Sequence, residues 1–289
     1  MDKVAISADS VSLTPERAEE LGFTLIPCPI IMDGKQYLDT EIDIDKLYTR
    51  LDTREDLPKT STANVEEFVR FFTELSQQAE AILHICMSSV FSPQYNNAVK
   101  AKEIAGDKLP GTRIEVADSR AIGTGVHFLA IEAARAAAQG KNMDEVVGLV
   151  NRIIPQVTVL TARDTLFYYD KGGRIFEART WAEAESASSF RSIVEVDAST
   201  GGTVKPVARA KTAAQIMDKL VEITKERADS QKLHAIIGHT RAPDRAEKLK
   251  EMLLSALQFD WLYIAEGSAS VAVHNGKGLI DYTFCKAPG

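Results

Sequence analysis

The chain has 289 residues and a net charge of −7, with an isoelectric point near 5.4. This acidic balance argues against a nucleic-acid partner or a general anionic-membrane surface, because both are approached through an excess of lysine and arginine. A hydrophobic fraction of 45% and a charged fraction of 26% are typical of globular proteins, which excludes the disordered and fibrous classes.

The first half of the sequence alternates short apolar runs with segments of helical period, which indicates βαβ units around a mostly parallel sheet. Thr14 caps a predicted helix that begins at Pro15 and ends near residue 21. Apolar residues from 65 to 75 recur at three- and four-residue steps, so we expect a helix packed on the sheet. The predicted strands are 4–8, 25–32, 82–87 and 114–117.

An alanine-rich helix is predicted from residue 119 to 139, and Asn142 caps a further helix that Pro155 must end. We therefore divide the chain into an N-terminal α/β domain, 1–154, with a Rossmann-like sheet, and a smaller C-terminal α/β domain, 155–289. In the second, Thr212 and Gln215 predict a capping box that opens a helix through about residue 227, and Pro243 begins another. Its predicted strands are 157–161, 192–196, 234–238, 262–265 and 271–274. Because no long linker separates the domains, we expect a ligand in a cleft between them.

Cofactor and location signals are few. The three cysteines stand singly in apolar runs, which is typical of buried thiols in a reducing compartment. The N-terminus lacks the pattern of a signal peptide, and no segment has the roughly 18 uncharged apolar residues of a membrane span. We therefore expect a cytoplasmic protein with no integral membrane segment. Without paired Cys or His spacings or a glycine-rich phosphate loop, we predict no metal, no nucleotide and no other cofactor.

Two predicted helix starts carry clusters of hydroxyl side chains. Ser92 followed by Pro93 is a strong signal for a helix N-terminus, and Thr60, Ser61 and Thr62 precede a helix predicted from about residue 63. Free backbone N–H groups and the helix dipole favour an anion there, and a carboxylate would suit the site. If both segments follow parallel strands, they emerge at the same edge of the sheet. The alternative is that Ser92 and Thr62 only cap their own helices.

Several segments, taken in order, make the chain resemble the DegV family over nearly its whole length. They are Ser7-Ala8-Asp9-Ser10, Thr60-Ser61, Ser88-Ser89-Val90-Phe91-Ser92-Pro93-Gln94-Tyr95, Asp118-Ser119, Asp164-Thr165-Leu166, Lys171-Gly172-Gly173-Arg174-Ile175 and His274-Asn275-Gly276-Lys277-Gly278. The resemblance implies two α/β domains around one long-chain fatty acid, such as palmitate, stearate or oleate, in a protein that is not itself an enzyme. Some members present the carboxylate to a separate kinase that makes acyl phosphate.

Carried over to this sequence, the resemblance places the carboxylate at Thr60 or Ser61 and at Ser92, with His274 nearby. The family usually has Ser-Gly-Thr-Tyr where this chain has Ser92-Pro93-Gln94-Tyr95. Pro93 has no N–H to donate and Gln94 has no hydroxyl, so the remaining donors are the Ser92 hydroxyl and the N–H of Gln94.

Basic residues offer a second set of contacts. Arg174, in its glycine turn, and Lys211, where the family usually has arginine, are expected to contact a partner or a phosphate group.

The alternative function is a lipid hydrolase or acyltransferase with Ser92 as nucleophile, His274 as base and Asp118 as orienting acid. The sequence has no Gly-x-Ser-x-Gly elbow at Ser92, and Pro93 removes the N–H that such an elbow uses in its oxyanion hole. Fatty-acid binding is therefore the favoured hypothesis.

Overall fold

The structure is a computed structural model that describes residues 3–185 and 190–287. Its strands, in chain order, are β1 (Val4–Asp9), β2 (Phe23–Ile26), β3 (Pro29–Met32), β4 (Lys35–Leu38), β5 (Lys59–Thr60), β6 (Ala81–Cys86), β7 (Arg113–Asp118), β8 (Thr158–Arg163), β9 (Arg191–Glu195), β10 (Lys205–Ala210), β11 (Leu233–His239), β12 (Phe259–Glu266) and β13 (Ile280–Lys286). Its helices are α1 (Pro15–Glu20), α2 (Ile44–Asp52), α3 (Val65–Ser76), α4 (Gln94–Lys108), α5 (Thr124–Ala138), α6 (Met143–Ile153), α7 (Phe167–Lys171), α8 (Arg179–Glu185), α9 (Ala213–Ala228), α10 (Pro243–Ala256) and α11 (Ala269–Asn275). This alternation confirms the predicted α/β class.

The first half forms the predicted parallel sheet, in the order β2-β1-β6-β7. Because successive residues of a strand face opposite sides, Ile82 of β6 packs in the layer of α3 and α4, whereas Leu83 packs in the layer of α5. β1, β6 and β7 confirm three predicted strands to within one or two residues.

The predicted strand at 25–32 is wrong, because this segment forms two strands. Pro27 has no N–H to continue the ladder, and the chain leaves the parallel sheet after β2. β3 then pairs antiparallel with β4 and β5 in a small separate sheet. Thr60 therefore lies opposite Ile30 in this small sheet, and not at the end of a parallel strand as predicted.

The second half holds a wider sheet, in the order β10-β9-β8-β13-β11-β12. Its neighbouring strands are antiparallel, except that β11 and β12 are parallel. β8, β9, β11 and β12 confirm predicted strands, while β10 and β13 were not predicted.

The strand predicted at 271–274 is wrong, since these residues lie in α11. A run of four residues is too short for periodicity to distinguish a strand from a helix. Ser268 precedes the helix in an extended conformation, and Gly276, with φ of +65°, ends it.

Local helix signals predicted other boundaries well. Thr14 accepts the Arg17 N–H at the start of α1, and the predicted capping box of Thr212 and Gln215 opens α9. Asn142 also caps α6, in a reciprocal pair with Glu145. Within residues 3–185 and 190–287, no helix has the length and apolar character needed to cross a membrane.

Helix α5 joins the two halves. It begins at Thr124, five residues after the predicted start, because the segment before it turns at Gly123 with φ of +53°. The helix is buried along most of its length and packs on β1 of the first sheet and on β13 of the second. One core cluster contains Ile6, Phe128 and Val159, which come from both sides of the predicted 154/155 boundary. The division into two domains at this boundary stays a prediction.

Candidate functional site

A cavity of about 280 Å³ lies where the ends of β1 and β6 and the starts of α4 and α5 face the second sheet. Its volume is close to the lower end of the range for small-molecule pockets, roughly 300 to 1,000 Å³. Its lining includes all five residues that the sequence predicted as ligand contacts: Thr60, Ser61, Ser92, Gln94 and His274. Their roles in binding stay predictions, but the structure brings them to one place.

Thr60 and His274 connect the two halves of the chain across this cavity. The Thr60 hydroxyl lies 2.8 Å from Nε2 of His274, which α11 carries. Removal of the imidazole from bulk water, together with the smaller effect of the positive charges of Arg174 and Arg163, lowers the pKa of His274 to about 4. At neutral pH His274 is therefore uncharged and presents one N–H donor and one acceptor nitrogen.

Ser92 and Gln94 form the start of α4. The helix begins at Gln94 without a side-chain cap on Pro93, and Ser92 Oγ accepts the Gln94 N–H at 3.3 Å. This N–H, predicted as a ligand donor, is thus already engaged, and the Ser92 hydroxyl keeps its own proton for another acceptor. The buried Gln94 side chain accepts the Ala63 N–H at 3.1 Å, so it ties the two hydroxyl-bearing loops together.

The hydroxyl groups of the loop before α3 do not cap that helix. Asn64, not Thr62, caps α3, in a reciprocal pair with Glu67. The Ser61 N–H donates to Pro29 O, and the carbonyl of Ser61 accepts the Cys28 thiol at 3.2 Å. The capping alternative is therefore wrong for Thr62.

Cys28 lines the cavity, but it is not an activated nucleophile. Burial, followed by the nearby charges of Asp39 and Asp9, raises the pKa of the Cys28 thiol well above its ordinary value. The Asp39 carboxyl accepts the Cys28 N–H at 2.8 Å and the Ser10 hydroxyl at 2.9 Å. These contacts hold the cavity wall in place.

Sequence reasoning missed several polar residues of the cavity, among them Thr161, Arg163 and Asp281. Arg163 and Asp281 are each 3% exposed. The predicted strand 157–161 stopped short of Arg163, and β13 was not predicted at all. A charged residue two positions after Thr161, in a run that continues as strand, is the signal that could have found Arg163.

The two predicted basic contacts lie in different places. Arg174 lines the cavity, and its Nη1 donates to Gly172 O at 2.6 Å. Lys211 is exposed outside the cavity, where its carbonyl accepts the Arg191 guanidinium. Of these two residues, Arg174 lies next to the predicted carboxylate contacts and Lys211 does not.

Asp118 is engaged away from His274. Its carboxylate accepts the Ser89 hydroxyl at 2.5 Å and the Ser89 N–H at 3.1 Å, and it forms an ion pair with Arg120. His274 instead meets Thr60. The Ser92, His274 and Asp118 side chains therefore do not form the relay that the hydrolase alternative requires.

Within the described ranges, one group of side chains has donor atoms close enough to share a metal ion: Asp9, His84 and Cys86, all within 4.8 Å of one another. Both nitrogens of His84 already have partners, the Ser7 hydroxyl at 3.0 Å and Asp9 Oδ1 at 3.2 Å. Burial raises the pKa of the Cys86 thiol well above its ordinary value, which disfavours the thiolate that a metal needs. That the chain binds no metal stays a prediction.

Comparisons with known proteins place these features in a family. Residues 3–287 match the family model described as "Uncharacterised protein, DegV family". A DegV domain-containing protein from Clostridium perfringens is 29% identical to this chain, over 98% of this chain and 99% of the relative.

Solved structures give the same fold. A fatty-acid-binding DegV family protein from Thermus thermophilus has a TM-score of 0.88 at 22% identity, over 98% of this chain and 99% of that one. A stearic acid-binding protein from Eubacterium ventriosum has a TM-score of 0.84 at 20% identity, over 99% and 98% of the two chains. The likeness establishes the shared fold.

Proposed function

This chain belongs to the DegV family, and from that premise we propose that it binds one long-chain fatty acid, such as palmitate, stearate or oleate, without transforming it by itself. The observation that carries the proposal is the meeting of Thr60 and His274 in one cavity. The two residues are 214 positions apart in the chain, yet their side chains lie 2.8 Å apart. A carboxylate accepts hydrogen bonds, so a set of donors gathered in one cleft suits it.

The head group is held by hydroxyl donors. Ser92 accepts one N–H and is left with its own O–H to donate to the carboxylate. Thr60 and Ser61 supply hydroxyls from the opposite loop, and neutral His274 hydrogen-bonds with Thr60. Arg174, also in the lining, adds a positive charge that favours an ionised head group.

The acyl chain is held by apolar side chains of the same cavity: Val11, Met87, Phe91, Ile122 and Leu279. Each methylene group that leaves water contributes about 0.8 kcal/mol. The hydrocarbon chain therefore supplies most of the affinity, and the hydrogen bonds of the head group fix its orientation.

A separate kinase would reach the carboxylate from a neighbouring cleft of about 550 Å³. Thr60, Arg174 and His274 line both this cleft and the cavity, which supports an opening at the head-group end. Arg54, Lys59 and Lys171 add positive charge to the cleft, and Lys211 is an exposed contact for docking. The kinase would transfer a phosphoryl group from ATP to a carboxylate oxygen, giving acyl phosphate and ADP.

Direct titration tests the head-group assignment. Delipidated protein is titrated with palmitate, and the variants Ser92→Ala and Ser61→Ala are compared with Ser255→Ala, whose hydroxyl donates to Met252 O on α10. Each cavity variant is expected to bind palmitate roughly tenfold more weakly, since hydrogen bonds to charged groups contribute about 1.5 to 3 kcal/mol. Unchanged affinity in both cavity variants would refute this clamp.

A further inference from the structure

A second cleft, of about 710 Å³, lies at the other end of α5 from the cavity. Gly123, just before the helix, lines the cavity, whereas Gln139, just after it, lines this cleft. At a rise of 1.5 Å per residue, the helix separates the two sites by about 24 Å. Among the described residues, none lines both. We refer to this separate site as the α5 cleft, and its volume is typical of small-molecule pockets.

The lining of the α5 cleft carries an excess of positive charge. It includes four cationic side chains and two carboxylates: Arg135, Lys141, Arg152 and Lys286, with Glu132 and Asp260. Within residues 3–185 and 190–287, Arg135, Lys141 and Arg152 form no ion pair, and we refer to them as the unpaired cations. Because the chain as a whole has a net charge of −7, this excess is local, and it attracts an anion to the cleft.

A buried histidine in the lining has one nitrogen unused. His234 is 7% exposed, and its Nδ1 lies 2.7 Å from Glu132 Oε1. Trp261 Nε1 donates to the same oxygen at 3.2 Å, and the Trp261 ring centre lies 5.0 Å from that of His234, so the imidazole is held in one orientation. In the described part of the chain, Nε2 has no hydrogen bond, since Asp260 Oδ2 is 3.9 Å away. Unlike the orphaned polar atoms of the core, Nε2 retains solvent-accessible surface.

Helix dipoles explain only part of this arrangement. Arg135 and Arg152 lie in the last turns of α5 and α6, where a cation offsets the negative end of a helix. That role leaves the free Nε2 of His234 unexplained. An anion beside Nε2, with the Glu132 carboxylate beside Nδ1, favours the imidazolium form, which donates from both nitrogens. A phosphate group suits these donors, because it carries nearly two negative charges and three strong acceptor oxygens.

We propose that the α5 cleft is a second ligand site, which binds a small phosphorylated metabolite with its phosphate group between His234 and the unpaired cations. The cleft has room for more than a phosphate group, and the side-chain amides of Gln139 and Gln231 line it. Amides donate and accept hydrogen bonds, so the rest of the metabolite is polar and carries hydroxyl groups. This site shares no residue with the cavity, and it does not depend on fatty-acid binding.

Titration of the full-length protein with inorganic phosphate, glucose 6-phosphate and glucose tests this proposal. In about 0.15 M salt, which screens exposed charges, one glucose 6-phosphate per chain is expected to bind with a Kd of about 1 mM or lower. Inorganic phosphate is expected to bind more weakly, and glucose not at all. The imidazole NMR signals of His234 are expected to move, while those of His274, in the cavity, stay in place.

Two results would overturn the proposal. If neither phosphate compound binds, or if the His234 signals do not move, the α5 cleft is not a phosphate site. If inorganic phosphate binds as tightly as glucose 6-phosphate, the ligand is the free ion and the proposed metabolite is wrong. Palmitate is titrated separately, so failure at the α5 cleft leaves the proposed function standing.

Variants assign the binding to the α5 cleft. Arg152→Gln is expected to weaken glucose 6-phosphate about fivefold, whereas Arg70→Gln, on the exposed face of α3, leaves it within about twofold. His234→Gln is expected to weaken it about tenfold or more. Palmitate affinity should stay unchanged in all three. If Arg152→Gln lowers stability but binds glucose 6-phosphate like the wild type, Arg152 only offsets the helix dipole and the proposal is wrong; this result decides the question even where His234→Gln does not fold.

Discussion

Replacing Thr60 with valine removes one hydroxyl from the cavity and keeps the size and branching of the side chain. Thr60 hydrogen-bonds with His274 Nε2 at 2.8 Å, and in our proposal it also contacts the carboxylate. A hydrogen bond to a charged group contributes about 1.5 to 3 kcal/mol, which corresponds to roughly ten- to hundredfold weaker binding of palmitate. The lost bond to neutral His274 lowers the free energy of unfolding by only about 1 kcal/mol.

Isothermal titration of delipidated protein with palmitate measures the loss of affinity. Comparison with a control variant separates this loss from a general loss of structure. The matched control is Thr49→Val, since the Thr49 hydroxyl donates to Asp45 O on the exposed face of α2 and Thr49 does not line the cavity. We expect the control to bind palmitate within about twofold of the wild type. Wild-type affinity in Thr60→Val would refute the assignment of Thr60 to the head group.

Three further predictions concern protonation and backbone geometry. Because the pKa of His274 is lowered to about 4, its imidazole in the delipidated protein should titrate near pH 4 by NMR; a midpoint near 6.5 would contradict the burial described. Burial raises the pKa of folded Asp39 from 3.8 to about 6. The folded protein therefore gains stability from the protonated Asp39 carboxyl below about pH 4, and it loses this stability as pH rises through 6. Between pH 4 and pH 6 the free energy of unfolding should therefore change by about 3 kcal/mol less in Asp39→Asn than in the wild type, as measured by urea unfolding. If the free energy of unfolding depends on pH in the same way in both proteins, this prediction is wrong. Gly123 and Gly140 both have positive φ, but only at Gly123 would a Cβ meet an atom, Asp281 Oδ2 at 2.0 Å. Gly123→Ala should thus cost at least about 1 kcal/mol more stability than Gly140→Ala, and equal losses would count against the tight approach of Asp281.

Local signals explain what the sequence predicted well. The capping residues Asn142 and Thr212 act within one helical turn, so they are readable without knowledge of the fold. Alternation of apolar runs and helical periods likewise predicted the parallel order of the first half. The hydroxyl clusters at residues 60–62 and 88–92 are candidate sites from the sequence alone, because helix N-termini favour anions.

Tertiary contacts explain which features the sequence did not predict. The contact between Thr60 and His274 depends on β5 joining a small antiparallel sheet and on α11 carrying the histidine. The sequence predicted a different structure at both places. The partner of each strand in the second sheet is also set by long-range pairing. Arg163 and Asp281 become neighbours of one cavity only when β8 pairs with β13, so sequence spacing could not place them together.

Identifying the lipid that accompanies the protein tests the central claim most directly. The protein is purified from cells, denatured and extracted, and the extract is analysed by mass spectrometry. The account predicts about one long-chain fatty acid per chain, held in a cavity lined by Thr60, Ser92 and His274. An extract without fatty acid, together with no uptake of added palmitate or oleate, would contradict it.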